Sequence, residues 1–261
     1  MSTVRPRLLV PKEHGTYGEL LFPLATALGV GGASVAGVTV ALAALLGYLA
    51  HESFAVLVGL RGARARREQG RAALASVGWL GGAAALSCGV GLLVAPPEVR
   101  WAVLAAAVLS LGIVALAWTG RERTTIGEIG VAVALASWSV PVALAGSATW
   151  LTSLACAAIW SAIFAAGTFA VRAVIARTRR QSMVSPVLGS VGVSAGAIVA
   201  AAWLVRQGVL PAGVLLALLP TTLVVFGLCV PRVTAQQLRR VGWTLVSASA
   251  MTLLALILTF A

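Results

Sequence analysis

The chain reads as an all-α, polytopic membrane bundle of about nine transmembrane helices, and three observations lead there. Of its 261 residues 60% are hydrophobic and 10% charged, with a mean hydropathy of +1.00, far from the balance of a soluble domain. Apolar runs of about 20 residues, the length a helix needs to cross a hydrocarbon core about 30 Å thick, recur nine times. Lys and Arg gather in alternate connections between these runs.

The runs fall at 13–31, 33–60, 72–94, 99–118, 127–146, 150–175, 184–205, 209–228 and 241–260. Connections are short, so neighbours are expected to be antiparallel, and one bundle, a single domain over 1–261, accounts for the length. The first run opens on polar residues and is too long for a cleaved signal peptide, so it is expected to stay. The second and sixth exceed a perpendicular span and are expected to tilt or project. Gly78, Gly81, Gly82 and Ala85 in the third run, and Gly189, Ser190, Gly192, Ser194 and Gly196 in the seventh, put small residues at helical spacing, which favours close helix approach. Pro141 and Pro220 predict kinks or local breaks. Cys88, Cys156 and Cys229 lie far apart in apolar runs and read as packing residues rather than a disulfide or metal set.

Orientation follows from the basic residues. With the N-terminus in the cytoplasm, only Arg100 and Arg206 of the 19 Lys and Arg residues face outward, a strong positive-inside bias that predicts an N-in, C-out, multi-pass membrane protein. The net charge of +12 then reflects topology and attraction to anionic inner-leaflet lipid, with no nucleic-acid partner required.

All seven acids are glutamates, and there is no Asp. Glu68, Glu98 and Glu122 lie in connections and read as solvated charge. Glu13, Glu19, Glu52, Glu128 and Arg172 are different: by the topology above they share the cytoplasmic rim at membrane level, where an ionisable group should turn inward and pair or line a watered cavity. Plainer readings stand beside this one. Glu13 and Glu19 favour the positive end of the first helix, Lys12 suits a headgroup anchor, and His14 with Tyr17 suits an interfacial pair. His51-Glu52 marks a helix exit, although eight mostly apolar residues follow before Arg61. Arg172 is a snorkelling arginine or the partner of a carboxylate or anionic ligand.

The segments Pro11-Lys-Glu-His-Gly-Thr-Tyr-Gly-Glu, Leu49-Ala-His-Glu-Ser, Arg61-Gly-Ala-Arg-Ala-Arg-Arg-Glu and Gly167-Thr-Phe-Ala-Val-Arg-Ala-Val-Ile-Ala-Arg resemble the YwiC-like family of bacterial membrane proteins. That family has no assigned reaction, and the resemblance implies a multi-pass place in the bacterial plasma (inner) membrane. Its nine-helix layout is in turn similar to the UbiA superfamily of intramembrane prenyltransferases, a resemblance that implies two Asp-rich motifs at the cytoplasmic ends of the second and sixth helices, holding a Mg²⁺-diphosphate. Here His51-Glu52 stands in the first place, with Ala55, Val56 and Gly59 where further acids are expected, and the stretch from Arg172 to Arg180 contains no acid. The Mg²⁺ cage is missing, which puts the standard prenyl-transfer mechanism in doubt.

What remains is a rim set. Glu13, His14, His51 and Glu52 are the candidate catalytic residues, and Lys12, Tyr17, Glu19, Arg61, Glu128, Arg172 and Arg177 the candidate substrate-binding ones, with guanidinium groups suited to a phosphate. No metal is assigned, because two histidines on different helices are a weak ligand signal. Three readings stand. One is a UbiA-like protein that binds or transforms an isoprenoid or other anionic amphiphile. The second is a transporter using Glu52 or Glu128, and the third a non-catalytic scaffold for membrane lipid or another subunit.

Overall fold

Inside hydrocarbon every backbone N–H and C=O must be satisfied within its own segment, so runs of Ala, Leu and Val without interior charge are forced towards helix. In the computed structural model, which describes residues 9, 11, 14–230 and 237–260, each predicted run is answered by helix, and there is no strand among the described residues. The elements are α1 (His14–Gly31), α2 (Val35–Leu57), α3 (Ala63–Ser76), α4 (Gly82–Val94), α5 (Pro97–Trp118), α6 (Thr125–Ser137), α7 (Ser139–Ala145), α8 (Trp150–Thr178), α9 (Val184–Arg206), α10 (Gly213–Cys229) and α11 (Leu238–Phe260). A π-helical turn, Val77–Gly81, joins α3 to α4 without a break.

Seven helical stretches among the described residues are long and apolar enough to cross a membrane. The apolar α10 is shorter, and α1, polar in its first turns, is also outside the seven. Leu93 and Leu258 each remain 82% exposed, and Trp79 78%. An exposed apolar belt of this kind marks a membrane-facing surface. The chain is a multi-pass integral membrane protein.

Two length expectations change. The second helix stops at Leu57, short of the predicted 60, and the third begins at Ala63 rather than 72. The long rods are therefore the third, 32 residues from Ala63 to Val94 or about 48 Å, and the sixth, α8. The sequence Ala-Arg-Ala-Arg-Arg-Glu-Gln is rich in strong helix formers, and Arg64 pairs with Glu68 one turn on at 2.8 Å, so the basic stretch extends the helix instead of forming a loop.

Among the described residues the core, rich in Ala and Val, falls into three clusters, and its largest fully buried side chain is Trp160. Trp160 of α8 is fully buried and stacks between Phe22 and Phe164, with ring centroids 5.7 and 5.3 Å away. Its Nε1–H donates to Thr26 Oγ1 at 3.0 Å, and Thr26 Oγ1–H donates to the Phe22 carbonyl at 2.9 Å. Among cysteines, Cys156 is buried and the other two are half-buried.

Pro141 acts as expected. Lacking an N–H, it leaves the carbonyl four residues earlier, that of Ser137, without its helical partner, and the helix breaks at Trp138 between α6 and α7. Trp138 Nε1–H then donates to Ser110 Oγ on α5 at 3.1 Å, and all of α7 is buried. Pro220, by contrast, lies inside an uninterrupted α10. Of the small-residue runs, Gly189 does sit at a close contact: a Cβ there would meet the Phe169 ring at 2.6 Å. Gly78 and Gly82 face open space, as do Gly192 and Gly196; the third rod seats on α2 through Gly91, where a Cβ would meet Thr39 Oγ1 and Val40 Cγ2 at 2.8 Å. At the rim formed by the α1–α2 and α7–α8 turns, Ser34 caps α2 by accepting from Gly37 N–H at 2.9 Å and donates to the Ala145 carbonyl at 2.7 Å.

Candidate functional site

The opposite rim holds most of the charged residues, and the end of α2 determines how those nearest it meet. Gly59 (φ +86°) and Gly62 (φ +90°) adopt the left-handed region that glycine enters without strain. Gly59 closes a Schellman stop: Leu60 N–H donates to the Ala55 carbonyl at 2.9 Å and Gly59 N–H to that of Val56 at 3.2 Å. The reversed chain carries Arg61 back beside α2. There Nε donates to Glu52 Oε1 at 3.1 Å and Nη2 to Oε2 at 2.7 Å, the fork geometry that strengthens and orients a guanidinium–carboxylate pair.

Arg61 also reaches the α5–α6 connection, its Nη1 lying 3.6 Å from Glu122 Oε1. Glu122, expected as solvated surface charge, is thus half-buried and paired; its side chain is 29% exposed. The loop is held by Thr124, which caps α6 by accepting from Gly127 N–H at 3.1 Å and donates to the Arg121 carbonyl at 2.8 Å. It lies so close to the first turn that a Cβ on Gly127 would come within 2.7 Å of the Glu122 carbonyl oxygen. From α8, Arg172 Nε donates to Glu128 Oε2 and Nη2 to the Arg123 carbonyl, both at 2.9 Å. One network therefore ties together the end of α2, the α5–α6 loop, the start of α6 and the end of α8.

Leu9 and Pro11 lie against the same corner. The Leu9 carbonyl accepts from Ser53 Oγ at 3.0 Å while Leu9 N–H donates to Ser76 Oγ at 3.2 Å, bridging α2 and α3. Tyr17 O–H donates to the Pro11 carbonyl at 2.9 Å, its ring stands edge-on to Tyr48 at 5.2 Å, and the Thr16 and Tyr48 hydroxyls are hydrogen-bonded. Glu19 and His51 are half-buried on α1 and α2. Lys12, Glu13 and the side chain of His14 lie outside the described residues. Arg177 turns towards α10, where Nη2 donates to the Cys229 carbonyl at 3.1 Å.

Sequence reasoning missed Glu122, the Arg123 carbonyl, and Leu9 with its two serines. The signal for Glu122 was its position between Arg121 and Arg123 in a loop predicted to share the rim with Arg61. The backbone contacts had none.

A family model described as YwiC-like protein matches residues 10–144, just over half of the chain, including the N-terminal polar segment, His51-Glu52, Arg61 and Glu128. The chain belongs to the YwiC-like family. No curated protein and no solved structure matches it. In this YwiC-like protein the match ends before α8, so Arg172 lies beyond it although its partner Glu128 lies within. Among the described residues no three of His, Cys, Asp and Glu are grouped to hold a metal ion. Together with the lack of Asp, this is a poor fit to a Mg²⁺-diphosphate cage, which needs several carboxylate or carbonyl oxygens around one ion.

Proposed function

We propose that this YwiC-like protein is a single bundle of nine spans, N-in and C-out, that binds an anionic amphiphile such as an isoprenoid phosphate. Its headgroup meets the cytoplasmic rim where α2, α6 and α8 end, and its chain lies in the bilayer. The supporting observation is the carboxylate pairing of two guanidinium groups, Arg61 held by Glu52 and Glu122 and Arg172 by Glu128, with arginine side chains 27% and 30% exposed. A phosphate oxygen arriving at such a group finds an oriented donor, at a lower ordering cost than a free surface arginine would impose.

The same pairing argues against the carrier reading, because Glu52 and Glu128 are each engaged by a guanidinium and sit at helix ends, whereas secondary transporters place ion sites near the midplane. Turnover of the bound ligand would make the protein a divergent UbiA-like prenyltransferase without the Asp-rich cage. The scaffold reading is what remains if no small amphiphile binds.

The test is a thermal-shift titration of detergent-purified protein with prenyl phosphates and diphosphates of several lengths, with and without Mg²⁺, followed by product analysis. The expected result is a metal-independent stabilisation, about 2.7 kcal/mol at a hundredfold excess over Kd, lost in Arg61→Ala and Arg172→Ala variants that still give the native helical circular dichroism. A wild-type protein indifferent to every ligand, or variants that respond as wild type does, overturns the proposal.

A further inference from the structure

A second site lies on the lipid-facing side of α10 and α11. An open groove of about 450 Å³ runs between them, bounded by Pro220 and Leu223 of α10 and by Trp243, Thr244, Ser247 and Met251 of α11. Its walls are apolar except for two hydroxyls. Its mouth is basic: Arg239 and Arg240, both exposed, precede Trp243 and Thr244 by one helical turn, and residues four apart share a helix face. Trp243 is 64% exposed, one turn inward from the arginines, where an indole suits the headgroup boundary.

The length of the groove also fits a defined occupant. Arg240 and Met251 are eleven residues apart on α11, about 16 Å at 1.5 Å per residue, which is half of a hydrocarbon core about 30 Å thick. The groove and its basic mouth together thus match the depth of one leaflet, from headgroup level to the midplane. No acid follows Glu128 in the sequence, so neither α10 nor α11 supplies a counter-charge to the arginine pair.

We propose that this groove is a binding site for one anionic phospholipid of the cytoplasmic leaflet, its phosphate at Arg239 and Arg240 and its acyl chain along Pro220, Leu223 and Met251. The site is separate from the Arg61–Arg172 rim and does not need a ligand there; the choice of the cytoplasmic leaflet rests on the N-in, C-out orientation proposed above.

The experiment uses full-length protein in phosphatidylcholine nanodiscs doped with dibrominated phosphatidylglycerol or dibrominated phosphatidylcholine. The Trp243 signal is taken as the difference between wild type and Trp243→Phe. Brominated phosphatidylglycerol should quench that component at a mole fraction lower by on the order of tenfold, as two arginines beside an anionic headgroup would give. Arg239→Gln with Arg240→Gln should bring the two lipids to parity, Arg239→Lys with Arg240→Lys should keep the preference, and neither double variant should alter any prenyl-phosphate response governed by Arg61 and Arg172. Equal quenching by both lipids in wild type means annular lipid only and overturns the proposal. So does a Trp243 shielded from both lipids, as by a second copy, or a preference that survives the glutamine double variant.

Discussion

Arg61 should be worth more to the fold than either acid it holds, and a double-mutant cycle measures this. The perturbations are Glu52→Ala, Arg61→Ala and both together, with Arg64→Ala and Glu68→Ala as the internal reference. The Arg61–Glu52 pair makes two charge-assisted bonds at 2.7 and 3.1 Å between side chains 27% and 26% exposed. Hydrogen bonds to charged groups contribute about 1.5–3 kcal/mol where water is excluded, and exposed pairs about 0.2–1 kcal/mol. Partial exposure places the coupling between these, at about 1–2 kcal/mol. The Arg64–Glu68 pair, 89% and 55% exposed, should give about 0.3–0.5 kcal/mol, as i,i+4 surface pairs do. Arg61→Ala should also cost more than Glu52→Ala, because it removes the cation lying 3.6 Å from Glu122 as well and leaves two carboxylates near one another. Equilibrium unfolding by sodium dodecyl sulfate in mixed micelles, followed by circular dichroism, reads all of these. A Glu52–Arg61 coupling no larger than that of Arg64–Glu68, or a costlier Glu52→Ala, would refute the reasoning.

The same unfolding assay serves two further substitutions. Gly127→Ala drives a Cβ into the Glu122 carbonyl and should destabilise by about 1–3 kcal/mol, whereas Gly192→Ala, into open space on α9, should be neutral or stabilising by up to about 1 kcal/mol. Thr26→Val removes the acceptor of the buried Trp160 N–H and should cost about 1–3 kcal/mol, part of it recovered in the double variant with Trp160→Phe. Topology is read by labelling a cysteine-free protein in spheroplasts with a membrane-impermeant maleimide. Gln207→Cys should react from outside and Arg179→Cys only after lysis, and the reverse pattern would invert the orientation.

Most of the architecture was legible because lipid imposes few choices. A run of some 20 apolar residues can satisfy its backbone only as helix, so a helix over each apolar run followed from composition, although only seven stretches among the described residues are long and apolar enough to cross a membrane. The faces did not. When nearly every residue of a helix is apolar or small, periodicity carries little information about which side meets protein, and so Gly78 and Gly82 read as a packing seam while the seat proved to be Gly91. The extent of the third rod was missed for another reason. Arginines were counted as topology markers, although Ala, Arg, Glu and Gln are also strong helix formers. At the rim, charge arithmetic placed Glu52, Glu128 and Arg172 on one side, and they joined a common network. The choice of partners, Arg61 for Glu52 and the Arg123 carbonyl for Arg172, depended on Gly59, Gly62 and Thr124 folding two short connections inward, which spacing along the chain does not encode.

The π-helical turn at Val77–Gly81 sets a rotational offset in the longest rod. A π-turn amounts to one additional residue inserted into an α-helix, and each residue turns the helix by about 100°. Above it stand Arg64, Arg67 and Arg71; below it Gly91 faces Thr39 and Val40 of α2. The phase between that row of charges and that seat is fixed by this single insertion. With one residue fewer between Val77 and Gly81, the rod would either lift Gly91 off α2 or swing its arginines by about 100° to a new bearing around the bundle.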